Sequence, residues 1–218
     1  FPQPGTGRSN LKVGAGAQAG RLIIEGGEVQ GVRWTVGGQE MAALARRETV
    51  LCAGAVGTPQ LLELSGVGRG DVLAAAGVQQ VAEVAGVGEN LQDHLQLRLI
   101  YKVKGVGTLN EKASSLIGKA MIGAEYLFRR SGPMSMAPSQ LGIFTRSGPE
   151  KETPDLEWHV QPVSLDKFGD PVHKFPAITA SVCNLRPESR GSIHIKSADF
   201  RDAPSIRPNY LSTEGDLE

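Results

Sequence analysis

Six residues near the amino terminus, Gly14-Ala15-Gly16-Ala17-Gln18-Ala19, have the spacing of a relaxed G-x-G-x-x-A dinucleotide fingerprint. Such a loop holds a pyrophosphate against backbone amides, and for that it needs a strand before it and a helix opening inside it. The next apolar run, RLIIEGGEVQGV, is β-favouring and broken by glycine, so the match reads as a decoy. Cys52 and Cys183 stand far apart in apolar runs, at no metal-ligand spacing, and are expected to be buried, reduced thiols. Of the four histidines, His173 and His194 read as loop and strand-surface residues, and His94 as a residue fixing a glycine-rich loop. His159 sits in a strand, where a group able to handle a proton and an ordinary hydrogen-bonded histidine are equally good readings.

The longest patterned stretch, AGAVGTPQLLELSGVG from Ala53 to Gly68, carries no evident catalytic pair; by composition it is a loop, a helix and a tight turn. Thr58 is suited to cap that helix and Pro59 to its first position, with Ser65-Gly66 closing it. Before it, RLIIE, VQGVRWT and Met41–Ala45 are separated by Gly26-Gly27 and Gly37-Gly38 and predict a β-meander, continued by Thr49–Leu51. After it come a short helix over Asp71–Ala76 stopped by Gly77, a strand over Leu95–Val103, and one long helix over Ala113–Arg130. Strands over Gln140–Thr145, Leu156–Val160, Ile178–Asn184 and Ser192–Ile195 follow. The fold class is therefore α+β with antiparallel sheet, and a boundary falls near residue 104.

Composition narrows the function. The 218 residues carry 23 basic and 23 acidic side chains, a balance without the basic excess of a phosphate-neutralising nucleic-acid binder. No run of about 18 apolar residues would span a membrane. A hydrophobic fraction of 40% can fill a core, although only 5% is aromatic. Glycine, at 28 residues, exceeds the usual ~7% and implies many turns and close backbone approaches.

AGAVGTPQLLELSGVG resembles the second signature of the glucose-methanol-choline (GMC) family of FAD-dependent oxidoreductases, and GVGENLQDH, Gly86 to His94, resembles the family's next segment. LGIFTRS, PDLEWHVQP, NLRPESRGSIHIKSAD and RPNYLS are similar to the choline and alcohol dehydrogenase branch. The resemblance implies hydride transfer from a primary alcohol carbon to FAD, giving an aldehyde. It implies FAD contacts at Ala19, Ala53, Gly54, Asn90 and His94, and substrate contacts at Gln140 and His159. Residues 1–103 would be part of the FAD domain, 104–216 part of the substrate domain, and 217–218 a tag scar.

The same resemblance implies that the family's Rossmann pyrophosphate segment and catalytic histidine pair lie outside these 218 residues. The chain is then expected to be an internal, cytoplasmic fragment that holds FAD poorly, lacks activity alone, and self-associates through apolar surface along the meander. Gln140, where choline-oxidising members carry a Glu, supplies a dipole and not a charge, so a neutral alcohol is expected over choline. The competing expectation is a non-catalytic, β-rich module that binds a small ligand or a protein.

Overall fold

Paired glycines with positive φ make the first two turns. Gly26-Gly27 and Gly37-Gly38 each have both residues at φ between 56° and 83°, the two-residue geometry whose twist matches that of the flanking strands. They join β1 (Gln18–Glu25), β2 (Glu28–Val36) and β3 (Gln39–Leu44) into a three-stranded antiparallel sheet. In this computed structural model, residues 7–137, 139–167 and 169–217 are described. The Gly14–Ala19 motif runs into β1 where a fingerprint would open a helix, and Ala19 pairs with Trp34 across the sheet. Thr49–Leu51 forms no strand.

Helix α1 spans Gly54–Leu64 and so begins four residues before the expected Thr58 cap; Pro59 lies inside it. Pro59 is the sixth residue of the helix, past the first-turn amides that have no helical partner, and so it removes one intrahelical N–H donor. Helix α2 (Gly70–Ala75) follows, flanked by the two-residue strands β4 (Val67–Gly68) and β5 (Ala82–Glu83), which pair in parallel. Leu64, Leu73, Ala76, Val78 and Ile195 form a buried cluster with Phe200 packed against it. Ser65 Oγ donates to Leu61 O and accepts the Leu22 N–H, tying the end of α1 to β1.

These elements belong to one of two compact units: residues up to Gln92 together with Ser189–Ser212, and Asp93–Glu188 together with the residues from Thr213. The sequence pattern marks a boundary near 104, whereas contacts divide the chain at 92/93. The reason is that β6 (Gln96–Lys102) pairs along its length with β9 (Ala177–Asn184) of the second unit. The returning segment carries β10 (Ser192–His194) and β11 (Ser205–Arg207); the latter has no pattern of its own in the sequence.

The second unit is built on an antiparallel sheet ordered β6-β9-β8-β7, with β7 at Leu141–Thr145 and β8 at Leu156–Gln161. Before β7 the expected single helix is two, α3 (Leu109–Ser114) and α4 (Leu116–Arg129). Ser115 causes the break: its backbone is extended, and its hydroxyl accepts the Gly118 N–H to cap α4. Leu116, Ile117, Leu127 and Phe128 of α4 are exposed, and no helix of the described residues is long and apolar enough to cross a membrane.

Asn110 on α3 is fully buried and holds the loop beyond β8. Its side-chain amide donates to Ser164 Oγ (2.8 Å) and Phe175 O (3.1 Å), and its Oδ1 accepts the Ser164 N–H (2.8 Å). His173 Nδ1 lies 3.0 Å from the same Ser164 hydroxyl, and the ring stacks on Phe175. Replacing Asn110 by Ala strands the buried Ser164 N–H. The expected loss of stability is about 1–3 kcal/mol, read as a lower urea midpoint with an unchanged slope.

Candidate functional site

In the first unit, Ala53 and Gly54 open α1 with no side-chain cap, and the first turn holds no acidic residue. No side chain caps the amides of that turn, and no acidic residue of the turn offsets the positive end of the helix dipole. Small residues keep the end bare. Gly54 has φ +77°, and a Cβ on Gly57 would come within 3.1 Å of Ala53 Cβ. Ala55, Thr58, Pro59 and Leu62 of α1, the loop from Val84 to Gln92, and Ile193 of β10 line a cleft of about 420 Å³. Its walls are mostly apolar, with the side-chain amides of Asn90 and Gln92 and the carboxylate of Glu89 at its rim. A flat group with hydrogen-bonding or anionic edges suits that lining.

The loop is fixed to β10 through its backbone. The Ile193 N–H donates to Gly88 O (2.7 Å), and Leu91 and Gly191 exchange N–H···O bonds of 2.9 Å in both directions. Gly88 has φ +78°, and a Cβ there would stand 2.3 Å from Ile193 O, so only glycine fits. Asn90 takes the left-handed conformation at φ 60°, which asparagine tolerates better than most residues.

A chain of charged groups links the helix to the loop. Glu63, on the inner face of α1, has no solvent exposure. It accepts the Ile195 N–H (2.8 Å), and its other oxygen lies 2.7 Å from His194 Nδ1. His194 Nε2 lies 3.2 Å from Glu89 Oε1, which also accepts from Arg69 (2.8 Å). Both ring nitrogens thus face a carboxylate oxygen. Arg69 in turn forks onto Asp71. The hydrogen bond from Arg69 holds the Asp71 carboxyl below the usual carboxylate range, and the same contact raises the guanidinium.

His194 is therefore no strand-surface residue but the link that joins α1, β10 and the 84–92 loop. The signal that would have exposed this is Glu63 itself, a carboxylate in the middle of the apolar run LLELSG.

The second unit contributes a surface. In register, Glu157, His159 and Gln161 of β8 stand opposite Cys183, Ser181 and Thr179 of β9, and these oppose Gln96, Arg98 and Ile100 of β6. Alternation along strands puts all of these on one face and Leu97, Leu99, Val182, Ala180, Trp158 and Val160 on the other. One face of this sheet is polar and the other apolar. His159 opposes Gly142 of β7 and lies with Nε2 3.3 Å from Glu157 Oε1. Gln140, one residue before β7, donates its N–H to Val160 O, and alternation puts its side chain on His159's face.

Of the expected contact residues, Ala53 and Gly54 start the helix that walls the cleft, and Asn90 lines it. Ala19 sits on β1 and does not line the cleft, and His94 belongs to the second unit, its Nε2 3.1 Å from Leu185 O. Cys183 is buried as expected, and burial pushes its thiol up, with Glu157 adding to the effect. Cys52 departs from expectation: it is exposed, on the approach to α1.

Comparison with known proteins places this architecture. Residues 3–96 match the family model described as GMC oxidoreductase. The oxygen-dependent choline dehydrogenase of Stenotrophomonas maltophilia (strain K279a) is 39% identical over 209 residues, covering 96% of this chain and 37% of that protein. The mitochondrial choline dehydrogenase of Homo sapiens is 37% identical over 218 residues, all of this chain and 36% of its own length.

Among solved structures, formate oxidase superposes with a TM-score of 0.83 at 25% identity, over 92% of this chain and 40% of that one. Pyridoxine 4-oxidase from Mesorbium loti gives 0.77 at 26% identity, over 97% of this chain and 37% of that one. The chain belongs to the GMC oxidoreductase family, and it spans a little over a third of the length of the curated relatives it matches.

Two measurements check the charged chain. His194→Ala leaves the Glu63 carboxylate buried without its partner and is expected to cost about 3–5 kcal/mol by urea denaturation, whereas Arg69→Ala, at the exposed end, leaves the midpoint nearly unchanged. Because the Asp71 carboxyl is lowered, its contribution is present at neutral pH and fades as pH falls through that lowered value. An NMR titration should place Asp71 below an ordinary aspartate, and Arg69→Ala should return it upward.

Proposed function

We propose that this chain forms the flavin-facing cleft and the substrate-facing sheet of an enzyme that oxidises a primary alcohol to its aldehyde with FAD. The observation that carries the reading is the cleft itself. It gathers residues of both patterned stretches, Ala55–Leu62 and Gly86–Gln92, onto one lining that also carries the side-chain amides of Asn90 and Gln92. Those donors and the small Ala55 side chain of the lining fit the edge and face of a flavin ring, with Asn90 in the left-handed conformation. FAD, when bound, would supply the acceptor for the hydride leaving the alcohol carbon.

The chain's own residues do the rest of the work assigned here. His159, paired with Glu157 on the polar sheet face, would hydrogen-bond the alcohol hydroxyl and orient it. Gln140 would contribute a second hydrogen bond from the same face. A neutral aliphatic or aromatic alcohol is favoured over choline for two reasons. The Glu157 carboxylate is engaged by His159, and Gln140 supplies a dipole and no charge for a quaternary ammonium group. The relatives' names favour choline, which makes the comparison a direct test.

In the protein that carries this sequence, His159→Ala is expected to lower kcat/KM for a primary alcohol by 10²-fold or more, on the order of 3 kcal/mol, with flavin content unchanged. Ala55→Glu should empty the cleft of flavin, read as loss of visible absorbance. A higher kcat/KM for choline than for a neutral primary alcohol of similar size would overturn the substrate assignment. Flavin-free protein with no turnover would favour the non-catalytic binding module.

A further inference from the structure

On the polar sheet face, Cys183 Sγ, a carboxylate oxygen of Glu157 and a ring nitrogen of His94 all lie within 4.8 Å of one another. We propose that these three side chains form a binding site for a borderline-soft divalent cation such as Zn²⁺. The inference does not rest on the flavin reading; it rests on the geometry of the second unit alone.

Two of the three ligands, Glu157 and Cys183, come from backbone paired within the sheet. Glu157 and Cys183 are directly opposed on the adjacent strands β8 and β9, and Cys183 is also opposed to Gln96 of β6. His94 precedes β6 by two residues and projects on the same side as Gln96. Its Nε2 lies 3.1 Å from Leu185 O, a carbonyl that can orient the ring as outer partners of metal-bound histidines do.

Around a tetrahedral zinc with bonds of about 2.0–2.3 Å, ligand atoms stand roughly 3.3–3.7 Å apart. Contraction of about 1 Å from the observed spacing, by side-chain rotation, completes the set. Three protein ligands leave a fourth position for water.

The ligand types select the metal. One thiolate, one imidazole and one carboxylate suit Zn²⁺ or Co²⁺ and discriminate against Mg²⁺ and Ca²⁺, which prefer oxygen alone. Burial raises the Cys183 thiol, so the cation must displace a proton from sulfur, and apparent affinity must rise with pH. Binding also draws on the carboxylate that pairs with His159, so the loaded site changes what that histidine contacts.

The test is a Co²⁺ titration of the reduced, full chain, followed by absorbance. The expected result is a near-ultraviolet thiolate-to-cobalt band that saturates at one ion per chain, strengthens as pH rises, and disappears on adding Zn²⁺. Cys183→Ser should abolish the band. Glu157→Gln and His94→Gln should each weaken Co²⁺ binding at least about tenfold. Cys52→Ser, which alters the exposed thiol, should leave the band intact. Thermal melts of each variant confirm folding, and the near-isosteric Glu157→Gln keeps the test decisive if Cys183→Ser fails to fold. No band, a band that survives Cys183→Ser, a band lost in Cys52→Ser, or undiminished binding in both Glu157→Gln and His94→Gln would each overturn the proposal.

Discussion

A carboxylate with no access to water must be given donors or it destabilises the fold that encloses it, and Glu63 meets that requirement with two. The Ile195 N–H fixes α1 against the strand that returns to the first unit. His194 passes the interaction on to Glu89, and thereby to the loop that forms the other wall of the cleft. Glu89, a charged residue of the cleft's otherwise mostly apolar lining, belongs to that chain of charged groups and so ties the loop to the helix. Gly88 serves the same end sterically, since any side chain there would push the loop off β10.

The second unit solves a different problem. A four-stranded antiparallel sheet concentrates hydrogen-bonding side chains on one face, with Thr179 and Ser181 of β9 buried and Glu157 and His159 of β8 partly exposed. Because register sets which residues share a face, a single one-residue slip of β8 would exchange Glu157, His159 and Gln161 for Leu156, Trp158 and Val160. The chemistry proposed for His159 is in that sense a property of strand pairing. Asn110 and its contacts to Ser164 and Phe175 anchor the loop that leads from β8 toward β9 and help keep the pairing fixed.

Local signals made the strands legible. Glycine pairs marked the hairpins, and alternation marked β6 to β10, because those features act over a few residues. The start of α1 was misread because Thr58-Pro59 is a strong local cap signal, whereas the actual start at Gly54 has no capping side chain to announce it. The split at Ser115 was hidden because apolar periodicity continues across it.

The residues of the cleft were found through their resemblance to a family pattern, not through their chemistry. The Glu63–His194 pair, separated by 131 positions in sequence, left only one trace, an acid among leucines. Contacts of that span are invisible to any reading of periodicity, and so were the exposure of Cys52 and the gathering of His94, Glu157 and Cys183.

The first unit leaves off at Gln92 and resumes at Ser189. On a ribosome, α1 and its carboxylate emerge well before the strand that satisfies them. Until Ile195 has been synthesised, Glu63 has only water for a partner, and the helix face that carries it cannot close. The nascent chain is thus obliged to keep its first unit open while residues 93–188 of the second are made. A stop at any codon between the two halves would yield a product whose earliest helix never acquires its interior.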